Sequence, residues 1–157
     1  MGTLTIRSLE EPDLAAVVDL LRELEEFARA NTALDLANVA KTFSTMKSSP
    51  DHYKSLVALV DEKVVGFLSM VYYKSFYHRG GTSLINELVV SAERRGQGIG
   101  KALVRMAVKT SVSDGMDEIE VGTERTNLGA IDFYKKAGFD EEFVLLGKEF
   151  ADAAKRD

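Results

Sequence analysis

Eight residues, Arg94-Arg95-Gly96-Gln97-Gly98-Ile99-Gly100-Lys101, constrain this chain more than any other stretch. They follow an apolar run at 84–90 and open another at 102–108, the order of a strand, a glycine loop and a helix. Glycines at three alternate positions leave the backbone bare, so another molecule can approach it closely. The helix that follows offers N–H groups with no intrahelical acceptor, and a partial positive charge. Such a loop holds an anion, most often a phosphate.

The two commonest nucleotide loops do not fit. A Walker loop needs Ser or Thr after Gly-Lys, where Ala102 stands, and a glycine where Arg95 stands. A Rossmann fingerprint starting at Gly96 needs glycine in place of Lys101, and one starting at Gly98 needs a small residue in place of Leu103. What remains is Arg-x-x-Gly-x-Gly from Arg95 to Gly100. Further on lies Asn127-Leu128-Gly129-Ala130-Ile131-Asp132-Phe133-Tyr134-Lys135-Lys136-Ala137-Gly138-Phe139. Asn127 is a good helix cap and Gly138 a good helix stop. Taken one at a time, each motif also fits a plain capped helix. In this order, with a strand-like segment between them, the two resemble the coenzyme A loop and the following helix of the GNAT family, the GCN5-related N-acetyltransferases.

The rest of the chain suits a compact enzyme. Its 157 residues predict a single domain over 1–157 with a core of useful size. With no cysteine, disulfides, thiolate zinc sites and a cysteine nucleophile are excluded. Two histidines, His52 and His78, are too few for a His-rich metal site, so no metal is expected. A net charge of −5 argues against nucleic acid as a partner. The first residues lack a charged head and a long apolar segment, and no run reaches membrane-spanning length; a cytoplasmic protein is expected. Within 91–110, Arg94, Arg95, Lys101, Arg105 and Lys109 oppose Glu93, five cations less one anion, or +4. That basic island in an acidic chain suits a polyanionic ligand.

Periodicity predicts α/β architecture. Strands are expected at 3–7, 56–60, 64–73, 84–90, around Ile119 and Val121, and at 143–150. Ser8-Leu9-Glu10-Glu11 reads as a capping box, with Pro12 in the first turn of a helix carrying Leu14, Val17, Val18, Leu21, Leu24 and Ala28. Asn31 and Thr32 should end it. Further helices are expected at 36–46, 98–113 and 127–137, with a tight turn at Asp61-Glu62.

The resemblance implies more: a mixed, mostly antiparallel sheet with two splayed central strands, flanked by about four helices. It implies acetyl-CoA as cosubstrate. Its pyrophosphate would lie on main-chain N–H groups of Arg95, Gly96, Gln97, Gly98, Ile99, Gly100 and Lys101. Its pantetheine arm would meet main-chain groups of Leu88, Val89 and Val90, with an N–H near Val89 on the thioester carbonyl. Asn127, Ala130 and Tyr134 would complete the cofactor site. An amine attacks only as the free base, so a base is needed, and Glu87 in its apolar strand is the candidate. Alternation places Glu87, Val89 and Ser91 on one face and Leu88 and Val90 on the other. Tyr134 is the candidate acid for the leaving thiolate. Its reference pKa of about 10 lies above about 8.5 for a thiol, so hydrogen bonding to sulfur or late, concerted transfer fits better than full transfer.

The acceptor is less legible. Asp19, Glu23 and Glu26 share a helical face that would attract a cationic amine or simply stay solvated. Tyr72, Tyr73, Phe76 and Tyr77, with His78 and Arg79 in the loop at 74–81, would line a pocket or serve the core. A small-molecule amine is expected, with homodimerisation possible. The rivals are a non-catalytic acyl-CoA-binding or regulatory module, a protein or peptide N-acetyltransferase, and a structural protein on the same fold.

Overall fold

The computed structural model describes residues 2–28, 34–148 and 150; the side chains of residues 26–28 are outside it, as are Asn31 and Thr32. Its elements are β1 (Leu4–Ser8), α1 (Leu14–Ala28), α2 (Leu36–Lys47), β2 (Tyr53–Val60), β3 (Lys63–Tyr73), β4 (Thr82–Val90), α3 (Ile99–Ser113), β5 (Glu118–Val121) and α4 (Leu128–Lys136). The strands lie in the order β1-β2-β3-β4-β5. All neighbours pair antiparallel except β4 and β5, which run parallel. This is the expected mixed, mostly antiparallel sheet with four helices. The chain forms two compact units, one up to Val121 and one from Gly122.

The sheet is built by local turns. β2 and β3 join through Asp61 (φ 50°) and Glu62 (φ 65°), a two-residue reversal whose left-handed residues match the strand twist. On one sheet face, Val57, Leu59, Phe67 and Val89 pack with Val17 and Leu20 of α1. Burial of each such side chain contributes about 1.5–3 kcal/mol. On the other face α3 comes close at Gly66. A Cβ there would stand 3.0 Å from Leu103 Cδ1 and 3.3 Å from Ile99 Cγ2. The missing side chain lets the first turns of α3 seat Ile99 and Leu103, both buried, directly on β3.

Two expectations need correction. Ser8 does not cap a helix, because it is held in β1 opposite Leu56. The turn begins at Glu10, whose N–H donates to Asp13 Oδ2 at 2.9 Å. The second correction concerns the strand expected at 143–150. Residues 140–148 have no regular structure, and Phe143, Val144, Leu145 and Leu146 are exposed. Apolar side chains alone do not make a strand; its N–H and C=O groups need a neighbouring strand to bond.

Asp13 ties β1 to α1. The Arg7 guanidinium donates to it twice, at 2.7 Å and 3.0 Å. That bond holds the Asp13 carboxyl below the usual carboxylate range against the opposing effect of burial, helped by the Glu10 N–H. A folded-state value below the unfolded one gives stability that is complete above the unfolded value and is lost as pH falls through the folded one. Asp13→Ala is expected to cost about 1–3 kcal/mol at neutral pH. In melts repeated across acid pH, the gap from the parent protein should close only below the usual carboxylate range.

Candidate active site

Parallel pairing of β4 with β5 runs only from Thr82↔Glu118 to Ile85↔Val121. β4 then continues to Val90, still paired with β3. β5 thus ends at Val121, opposite Ile85, and among the described residues no strand pairs with the rest of β4 on that side. Where that pairing ends lies a bulge. Ser69 pairs with Glu87 and Met70 with Ile85, leaving Asn86 as the extra residue of β4.

The bulge decides where Glu87 points. Ser83 hydrogen-bonds Ser111 of α3 at 2.7 Å, so Ser83 and, two residues on, Ile85 belong to the α3 face. Unbroken alternation would put Glu87 there too. Because Asn86 takes up one residue, Glu87 instead joins Val89 on the α1 face. The expected grouping of Glu87 with Val89, and of Leu88 with Val90, holds because all four follow the bulge. Glu87 is half-buried, and its carboxylate accepts the hydroxyl of the buried Ser69. Sequence reasoning missed Ser69, although a lone hydroxyl in the apolar stretch Phe67-Leu68-Ser69-Met70 was a signal.

Main-chain directions also alternate. Ser91 N–H donates to the Val65 carbonyl at 2.9 Å. With the period of two, Val89 and Glu87 turn their main chain toward β3, and Leu88 and Val90 turn theirs toward the β5 side. The Val90 carbonyl is taken by Arg95 Nε at 3.0 Å. The N–H groups near Val89 that point away from β3 are thus those of Leu88 and Val90.

The glycine loop follows. Gly96 (φ 74°) and Gly98 (φ 81°) are left-handed, and a Cβ at either would meet nothing within 4 Å. Gly98 is the N-cap of α3 and has no capping side chain. The Ala102 N–H makes the first bond, to the Gly98 carbonyl at 3.0 Å. The N–H groups of Ile99, Gly100 and Lys101 therefore lie outside the helical ladder. Gln97 and Lys101 are exposed beside them, with Arg105 and Lys109 further along the solvent face of α3. The Arg95 guanidinium is turned the other way, to Glu23 of α1 at 3.2 Å. Arg95 thus serves the loop through its main chain.

In the second unit, Asn127 Oδ1 accepts the Ala130 N–H at 3.1 Å and caps α4. Gly138 (φ 101°) ends the helix, with Phe139 N–H on the Tyr134 carbonyl at 3.1 Å. The Tyr134 ring meets Phe133 and Phe139 edge-on, with centroids 5.1 Å and 5.4 Å away. Burial pushes its hydroxyl up to about 12.

The acceptor candidates disperse. Asp19 pairs with Arg22 at 3.1 Å, Glu23 is held by the loop, and the Glu26 side chain is outside the described residues. The loop at 74–81 is tied to the start of β5, by His78 to Glu118 at 3.3 Å and Gly80 N–H to Asp117 at 2.7 Å. It therefore lies at the Thr82 end of β4, roughly 26 Å of strand from the glycine loop. A cavity of about 320 Å³ at that same end is lined by His52, Lys54, Tyr72, Tyr73, Lys74 and Asp114. Its charges satisfy one another, with Lys54 3.3 Å from Asp114 and the Tyr72 hydroxyl 2.9 Å from it.

Comparison with known proteins bears on the family and the fold. The family model described as Acetyltransferase (GNAT) family matches residues 16–139. A glucosamine 6-phosphate N-acetyltransferase of Trypanosoma brucei brucei is 31% identical over 138 residues, 87% of this chain and 88% of that protein. An uncharacterized N-acetyltransferase of Methanocaldococcus jannaschii is 34% identical over 103 residues, 65% of this chain but only 45% of that protein. The crystal structure of a transcriptional regulator from Bacillus halodurans C-125 superposes with a TM-score of 0.84 at 25% identity, covering 94% of this chain and all (100%) of that one.

Gly98→Ala tests the loop. Its left-handed conformation should cost about 1–2 kcal/mol in denaturant unfolding. The new methyl would stand in the open space above the loop, so inorganic pyrophosphate should bind at least about tenfold more weakly by calorimetry. Unchanged affinity would place the anion elsewhere.

Proposed function

The chain belongs to the GNAT family of N-acetyltransferases, and we propose that it moves an acetyl group from acetyl-CoA to a primary amine on a small molecule. The observation that carries this reading is the conjunction of two features on β4: the stretch after Ile85, which among the described residues has no strand partner on the β5 side, and the bare glycine loop at its end. The loop and the first N–H groups of α3, from Arg95 to Lys101, take the diphosphate. The outward main chain of Leu88 and the Val90 N–H take the pantetheine arm and the thioester oxygen. An N–H aimed where negative charge develops stabilises the tetrahedral intermediate.

Glu87 acts as the base. Its carboxylate, placed by the Ser69 hydroxyl, removes the proton from the ammonium substrate directly or through water. Nitrogen then attacks the acetyl carbonyl; as the C–S bond breaks, the electron pair leaves on sulfur, and the second nitrogen proton passes through water to that thiolate, giving neutral amide and free thiol. Asn127, Ala130 and Tyr134 have the cofactor roles that the family pattern gives them. A hydroxyl near 12 lies about 3.5 units above a thiol, so full proton transfer would be uphill by about 5 kcal/mol. Tyr134 therefore serves as a hydrogen-bond donor to the leaving sulfur, with its proton retained. Holding both reactants in line supplies much of the rate.

A small amine is the favoured acceptor. The trypanosomal relative, named for an amino sugar phosphate, matches along most of both chains. A regulatory, non-catalytic module is the second reading, favoured by the likeness to the Bacillus transcriptional regulator. Thiol release from acetyl-CoA across a panel of amines separates the two. The module binds coenzyme A and releases no thiol with any amine.

Two variants test the chemistry. Glu87→Gln should lower kcat about 10²–10⁴-fold and leave coenzyme A affinity within about twofold; retained turnover would remove Glu87 from the mechanism. Tyr134→Phe should lower kcat while leaving the pH profile unchanged up to about pH 10, because the parent hydroxyl keeps its proton there. An alkaline limb near pH 8–9 that vanishes in Tyr134→Phe would instead show a proton-transferring acid.

A further inference from the structure

Glu23 lies near the end of α1, far in sequence from the glycine loop, yet its carboxylate is spent on that loop. Oε2 accepts the Ala92 N–H at 2.9 Å and the Arg95 guanidinium at 3.2 Å. Arg95 in turn donates Nε to the Val90 carbonyl at 3.0 Å. Three elements thus meet at one oxygen: α1, the 3-10 turn Ala92–Arg94 that leaves β4, and the first residue of the Arg-x-x-Gly-x-Gly stretch. The Ala92 N–H opens that turn, which has no side-chain cap from its own Ser91. Glu23 caps it from another helix.

We propose that Glu23 is a positioning residue for the donor loop: it fixes the conformation in which the amides after Arg95 converge on the diphosphate. The proposal rests on the reading of that loop as the coenzyme A site. Gly96 and Gly98 have no Cβ to restrict them, so the loop is costly to order on binding. An anchor just before the glycines removes part of that cost in advance. Stability alone does not explain the arrangement. The pair is partly exposed, at 42% for the Arg95 side chain and 35% for Glu23, and such ion pairs add little to folding. The geometry points to order in the loop. It also makes α1 and the donor loop one mechanical piece.

Coenzyme A binding to the full chain, followed by calorimetry, is the test. Glu23→Ala should weaken Kd about three- to tenfold, and Glu23→Gln, which keeps an acceptor for Ala92 and loses the charge, should fall between. KM for acetyl-CoA should rise by the same factor while kcat at saturating donor holds. Asp19→Ala, which breaks an ion pair elsewhere on α1, should leave Kd unchanged. A merely stabilising Glu23 would lower Tm and leave Kd of the folded protein as it was; that result overturns the proposal. Failure of the parent chain itself to bind coenzyme A would overturn the donor-site reading beneath it.

Discussion

The end of β5 at Val121, opposite Ile85 in the middle of β4, is the constraint on which the candidate site depends. A sheet ordinarily satisfies its main chain on both sides of an interior strand. Here β4 keeps β3 along its whole length and loses β5 halfway. Among the described residues, the Leu88 main chain and the Val90 N–H are left without a strand partner on that side. Under the proposed function, the amides of a pantetheine arm would complete the ladder there as a short strand would. The bulge at Asn86 lies where the pairing ends, and it moves Glu87 across the sheet. One extra residue thus brings a carboxylate to the α1 face beside the point where the main chain becomes available.

The donor loop is held from below and left open above. Ile99 and Leu103 seat the start of α3 on β3, and only a glycine at position 66 lets them approach so closely. That contact fixes the direction of the helix axis, and so the direction of its leading N–H groups. Glu23 and Arg95 fix the chain just before it. Between these anchors the loop consists largely of main chain, which is the chemistry a diphosphate requires.

How much of this was legible follows from how local each cause is. The glycine loop, the caps at Asn127 and Gly138 and the turn at Asp61-Glu62 are set by residues within a few positions of one another, and the structure places each where the sequence pointed. Glu87 was found as a polar residue in an apolar strand, and its face was read correctly only because the residues compared all follow the bulge. The bulge itself left no local mark. Nor did the role of Glu23: in the sequence it is an acid on a polar helix face, and its partner lies 72 positions away. Residues 143–150 went wrong for the same reason, since strand pattern shows hydrophobicity and not a pairing partner. The loop at 74–81 has pocket-like composition, but its anchors at Asp117 and Glu118 carry it to the opposite end of β4.

The division between main chain and side chain explains why the donor is readable and the acceptor is not. Every donor is a coenzyme A thioester, so its site can be made from amides that any sequence supplies, marked only by glycines and caps. An acceptor is distinguished by its own shape and charge, which only particular side chains can match. Among the described residues, the acidic and aromatic groups that looked available for that role are engaged or remote: Asp19 with Arg22, Glu23 with the loop, Tyr72 with Asp114 and Tyr73 with Glu120. Under the proposed function, a cationic acceptor would approach Glu87 without a second carboxylate from these groups to hold it. Selectivity would then come from shape and from hydrogen bonds near the bulge, where exposed Asn86 offers both a donor and an acceptor beside Glu87.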